Sequence, residues 1–134
     1  MTLAELNAVR DLKGEIKSLE QKIYIMRLTA SSLTPAFDGL PGGNEKKSPV
    51  ETLAVKIISL EEELSEKYRE LEAQAAALYE KFSAADLTLK EHNVLILRYC
   101  ACEHFRDIGF MLKLSDARTY AIHSAALKKI LDNS

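Results

Sequence analysis

Turn-forming residues are scarce in this chain: its 134 residues include only 5 Gly and 3 Pro. So little punctuation argues against a many-turned β fold and favours long helices. Cysteine is nearly as rare. Cys100 and Cys102 stand one residue apart, a spacing that rarely supports a disulfide. The run Cys100-x-Cys102-x-His104 has no second cluster to complete a four-ligand zinc site, since His92 and His123 are isolated. Idle or buried thiols are the expectation, with no metal and no cofactor. No apolar run approaches the roughly 18 residues of a membrane helix. The start, Met1-Thr2-Leu3-Ala4-Glu5, lacks the basic and apolar segments of a secretory signal. The expected location is the cytoplasm, with no membrane partner. Catalytic signatures are missing too: there is no nucleophile elbow, and Gly39 to Gly43 lacks the Gly-Lys-Ser/Thr ending of a phosphate loop. The chain is not expected to be an enzyme.

Excess positive charge is also lacking. The formal net charge is -2, whereas nucleic-acid binders are often basic. The distribution is uneven, however. Residues 1–86 carry 11 Lys and Arg against 15 Asp and Glu, and residues 87–134 carry 7 against 5. Only the C-terminal third is suited to approach phosphates.

What is present in abundance is heptad spacing. Val9, Leu12, Ile16, Leu19, Ile23, Met26, Ala30 and Leu33 alternate three and four apart. This stripe predicts a coiled-coil-like helix from about Leu3 to Ser32, opened by a Thr2–Glu5 capping box. Residues 34–48 break the pattern with Pro35, Asp38-Gly39 and Pro41-Gly42-Gly43-Asn44, which predicts a loop. Ser48-Pro49-Val50-Glu51 then marks a new helix start, running to about Phe82. Leu53, Ile57, Leu60 and Leu64 keep the heptad. Lys67 falls on the next seam position, and Tyr68, Leu71, Ala75, Leu78 and Phe82 resume one residue later, as a stutter would. Two helices of similar length predict an antiparallel hairpin over residues 1–86, with narrow stripes that a second copy of the chain could cover. The triplet Glu61-Glu62-Glu63 is expected as a solvated face.

Residues 87–134 have a different organisation. Thr88 can cap a helix over about Leu89–Cys100, a short helix follows over about Phe105–Leu112, and Ser115 can cap a last one over about Asp116–Leu131. Gly109 is the small residue that allows close packing, and Thr119, Ile122, Ala126 and Ile130 supply the inner face of the last helix. Two helices joined by a short turn, the second free on its outer side, make a helix-turn-helix. The whole chain is thus expected to be all-α: a long antiparallel helical hairpin followed by a small three-helix unit.

Leu89, Glu91, the run Val94-Leu95-Ile96-Leu97-Arg98-Tyr99, then Phe105, Ile108-Gly109, Ser115 and Ala126-Leu127 together resemble region 4 of sigma-70-type factors. With the preceding Gly39, Gly42-Gly43-Asn44 and Ser48-Pro49-Val50-Glu51, the chain is similar to phage and prophage regulators that include the ArpU-type late-gene regulators. The resemblance implies a DNA-binding transcription regulator or sigma-like factor, with duplex DNA and RNA polymerase as partners. Two positions depart from the pattern: Lys113 stands where the family often has Gly, and Thr119 where Val or Ile is usual. The residues expected at the DNA are Lys113, Ser115, Asp116, Ala117, Arg118, Tyr120, Ala121, Ser124 and Lys128, with Arg106 and Lys129 further out. Lys113 and Arg118 suit phosphate contact. The outer face itself offers no strong guanine contact and includes the acidic Asp116. His123 is expected as a solvated surface residue, and Tyr120 either meets a base or sugar or merely packs. A second interpretation remains open, a protein-interaction module that pairs with itself or with RNA polymerase and does not read sequence.

Overall fold

The computed structural model describes residues 1–37 and 48–131, and all the regular structure among them is helical. Helix α1 spans Leu3–Phe37, α2 Pro49–Ala84, α3 Leu89–Leu95, α4 Phe105–Leu112 and α5 Asp116–Ile130. A π-helical turn, Ile96–Cys100, continues α3. The Gly-rich part of the expected loop, including Gly39 and Gly42-Gly43-Asn44, lies outside the described residues. Helix α1 runs past Ser32 to Phe37, so Pro35 sits within its last turn. A proline there forfeits one backbone donor but does not end the helix.

The helix starts follow from local chemistry. Thr2 Oγ1 accepts from Glu5 N at 3.1 Å, and Ser48 Oγ accepts from Glu51 N at 3.2 Å. Each oxygen satisfies one of the donors that the first helical turn leaves open. At α3 the capping box is complete: Thr88 Oγ1 accepts from Glu91 N, and Glu91 Oε1 accepts from Thr88 N at 2.9 Å.

The chain forms two compact units, Gly14–Arg69 and Met1–Lys13 with Glu70–Ser134. They are drawn differently from the compositional boundary at 86/87, because the N-terminal turns of α1 and the end of α2 share a core with the C-terminal helices. Leu6, Val9, Leu78, Phe82, Leu95, Tyr99, Ala126 and Ile130 form that core, and Leu6, Phe82, Leu95 and Ala126 have no exposed surface. Each large apolar side chain buried there contributes roughly 1.5–3 kcal/mol. In the same unit Lys81 Nζ donates to Glu5 Oε2 at 2.9 Å and holds that carboxyl below its usual pKa. This pair matches an antiparallel packing of α1 on α2 at that end.

In the unit Gly14–Arg69, Ile16, Leu19 and Ile23 are buried, and Leu53, Ile57, Leu60 and Leu64 are half-buried. Ion pairs Arg27–Glu61 and Lys67–Glu15 (3.9 Å) again match an antiparallel pairing. Glu61 is therefore engaged, whereas Glu62 and Glu63 are exposed. The expected stutter is corrected at one residue. Lys67 holds its seam position half-buried and Tyr68 points outward, 41% exposed, whereas Leu71, Ala75, Leu78 and Phe82 face inward as expected, with Lys81 exposed beside them. The aliphatic stem of a lysine covers apolar surface while its ammonium reaches water, so a charged residue fills that seam position. Among the described residues no helix is long and apolar enough to cross a membrane.

Candidate nucleic-acid interface

The turn between α4 and α5 is closed by two backbone hydrogen bonds. Leu114 N donates to Gly109 O at 2.7 Å and Lys113 N to Phe110 O at 3.3 Å, the pair of bonds that closes a Schellman cap. Lys113 occupies the left-handed position of that cap, with φ 58° and ψ 46°. This is where glycine is usual, so the departure seen in the sequence is a lysine in a conformation that costs an L-residue about 1–2 kcal/mol. Lys113→Gly is accordingly expected to raise stability by up to about 1 kcal/mol in urea denaturation. A loss of stability would instead mean that the lysine stem contributes more than its backbone costs.

Gly109 faces the turn. A Cβ at that position would lie 2.9 Å from Leu114 O and 3.0 Å from Thr119 Oγ1. The absent side chain is what lets α5 cross close to α4. Thr119 is fully buried and donates its hydroxyl to Ser115 O at 2.8 Å. The hydroxyl is thus satisfied in spite of its burial. Ser115 Oγ accepts from Arg118 N at 3.2 Å and starts α5.

These contacts fix which side of α5 is free. Thr119, Ala126 and Ile130 are buried, and Ile122 is half-buried, as the spacing predicts. Lys113, Ser115, Asp116, Ala117, Arg118, Tyr120, Ala121, Ser124 and Lys128 are all exposed. Ala117, Ala121, Ser124 and Lys128 recur at helical spacing along the outermost line. Arg118 lies on one flank, across an open groove from Leu89 and Lys90 at the start of α3. Tyr120 lies on the other, its ring 4.6 Å from that of Phe105. Residues 105–130 carry 5 Lys and Arg against 2 Asp. Lys129 is committed: its ammonium donates to Glu91 Oε1 at 2.7 Å. That bond, with the Thr88 amide, holds the buried Glu91 carboxyl below its ordinary pKa. Lys129 is therefore removed from the outlying phosphate contacts. Arg106 is exposed on α4.

His123 is a correction. It is half-buried, its Nε2 hydrogen-bonds the Tyr99 hydroxyl at 2.7 Å, and its ring meets Phe105 edge-on at 4.7 Å. Burial, helped by the Arg98 charge, pushes its pKa down, and burial pushes that of Tyr99 up. Both groups therefore stay neutral. Arg98 completes the cluster with its guanidinium 4.2 Å from the centre of the Phe105 ring, while Nη1 donates to Glu103 O at 3.0 Å. Sequence reasoning missed this group. The π-helical turn rotates Arg98 and Tyr99 out of ordinary helical register, and no local pattern signals that. Lys13 Nζ donates to Ala101 O at 3.1 Å just beyond the turn, an equally unforeseen support.

Cys100 Sγ lies 3.7 Å from Ala75 O, and burial, with Cys102 beside it, pushes its pKa up to about 11. It is a protonated packing group at neutral pH. Among the described residues no three His, Cys, Asp or Glu side chains gather as a metal site. No protein-family model, curated protein or solved structure matches the chain.

Proposed function

We propose that this chain is a DNA-binding transcription regulator or sigma-like factor of phage or prophage type, a non-enzymatic protein acting in the cytoplasm. The helix-turn-helix α4–α5 enters the major groove. The observation that carries this is the division of α5: Gly109 and Thr119 lock its inner side to α4, while its outer side, from Lys113 to Lys128, stays open and bears Lys113, Arg118 and Lys128, which form no ion pair among the described residues. Lys113 and Arg118 hold phosphates and set register, and the line from Ala117 to Ser124 faces the base edges. The formal net charge of -2 and a single acidic intruder, Asp116, make the affinity modest and strongly salt-dependent. In the unit Gly14–Arg69, the exposed Tyr24, Ile25, Leu28, Val55 and Ile58 support pairing of two copies through the hairpin.

Fluorescence anisotropy with a labelled duplex at low salt tests the proposal. Binding should weaken steeply as salt rises. Arg118→Ala and Lys113→Ala should each weaken it on every sequence and lower the salt slope by about 1. Binding that ignores salt, or is unchanged in both variants, contradicts the proposal.

One observation favours a second function, docking on RNA polymerase or another protein without reading DNA. Phe110 is 88% exposed and Met111 50% exposed at the end of α4, an apolar pair of the kind found at protein contacts. Polymerase pull-down that survives Arg118→Ala but fails in Phe110→Ser would support it.

A further inference from the structure

We infer that Tyr120 is the specificity-determining residue of α5 and that it selects duplexes presenting thymine, by packing its ring against the 5-methyl group. This inference rests on the DNA-binding function proposed above. Guanine offers two acceptors in the major groove and is read by a side chain that donates twice. No such side chain stands where the first two turns of α5 would meet base edges. Arg118 lies about 200° around the helix from Tyr120 and lines the groove against Leu89 and Lys90. Lys128 lies about 12 Å further along the axis. Asp116 presents acceptors, which guanine's own acceptors repel.

What remains at the groove is one large side chain among small ones. Tyr120 is 52% exposed, and the side chains nearest it on the outer line, Ala117, Ala121 and Ser124, are short enough to let a base edge approach its ring. The ring is also held in advance. It leans on Phe105 at 4.6 Å, and Phe105 is fixed in turn by Arg98 at 4.2 Å and His123 at 4.7 Å. A side chain already ordered loses little freedom on contact, so more of the contact energy appears as discrimination. The thymine methyl is the apolar group that the major groove displays, and an aromatic edge complements it.

The test uses the full chain with two alternating polymer duplexes, poly(dA-dT) and poly(dA-dU), which differ only by the 5-methyl group. Anisotropy should show about fourfold tighter binding to poly(dA-dT) per methyl contacted, with the same salt slope for both. Tyr120→Ala should equalise the two, and Tyr120→Phe, which keeps the ring and loses the hydroxyl, should preserve the preference; circular dichroism checks that both variants fold. Equal binding of the two polymers by the unaltered chain, or a preference that survives Tyr120→Ala, overturns the role of Tyr120 and leaves DNA binding standing. Absence of salt-sensitive binding to either polymer overturns DNA binding itself, and this inference with it.

Discussion

Phe82→Ala should lower the free energy of unfolding by about 3–5 kcal/mol, the largest single-site effect expected in this chain. Phe82 has no exposed surface and lies in the core that joins Leu6 and Val9 of α1 and Leu78 of α2 to Leu95, Tyr99, Ala126 and Ile130. Truncation removes the transfer energy of the ring and leaves a cavity, since helices meeting from several directions cannot all collapse into it. The chain has no tryptophan, so urea denaturation would be followed by far-ultraviolet circular dichroism. A lower midpoint with an unchanged slope is the expected pattern. A loss under about 1 kcal/mol would mean that the helical hairpin and the C-terminal helices do not depend on a common core.

Gly109→Val comes next, with an expected loss of about 2–3 kcal/mol. The first carbon added would meet the Leu114 carbonyl at 2.9 Å and the Thr119 hydroxyl at 3.0 Å. One obstacle is backbone and the other a buried side chain bonded to Ser115 O, so neither can rotate away. Relief requires α5 to move off α4, which opens the Schellman cap at Lys113. Gly109→Ala separates the two effects of the change. It gains about 1 kcal/mol of helix propensity, yet it makes the same close contacts, so it should still destabilise, though by less than valine. DNA binding should fall in both variants at temperatures where α1 and α2 remain helical. An alanine variant as stable as the original chain would show that the crossing of α4 and α5 is looser than the distances indicate.

The parts of this fold written in local chemistry were legible in the sequence. Thr2, Ser48, Thr88 and Ser115 each bond the amide three residues on, and a residue type at a fixed offset is enough to foresee that. Val9, Leu12, Ile16, Leu19 and Ile23 are buried because a 3-4 spacing leaves them no other face. The exposed face of α5 followed from the same periodicity. Tyr68 alone departs from the expected stripe: Lys67 covers that place with its aliphatic stem and the tyrosine is exposed, while Leu71, Ala75, Leu78 and Phe82 face inward as their spacing predicts. His123 and Lys129 depart for another reason. Their partners, Tyr99 and Glu91, are 24 and 38 residues away, and one of them is placed by a π-helical turn. Pairings at that distance depend on how helices cross, which spacing within one helix does not encode. The strained lysine at 113 was visible as a departure, and the backbone explains it: the cap needs a positive φ, and the sequence supplies a cation there in place of glycine.

Whether α5 meets DNA can be read by nuclear magnetic resonance, titrating the isotopically labelled full chain with a duplex at low salt and following amide shifts. Shifts should concentrate in residues 113–125, with Arg118 and Tyr120 among the largest, and amides of residues 14–69 should stay in place. An unchanged spectrum at excess duplex, or shifts confined to residues 14–69, would contradict DNA binding through α5.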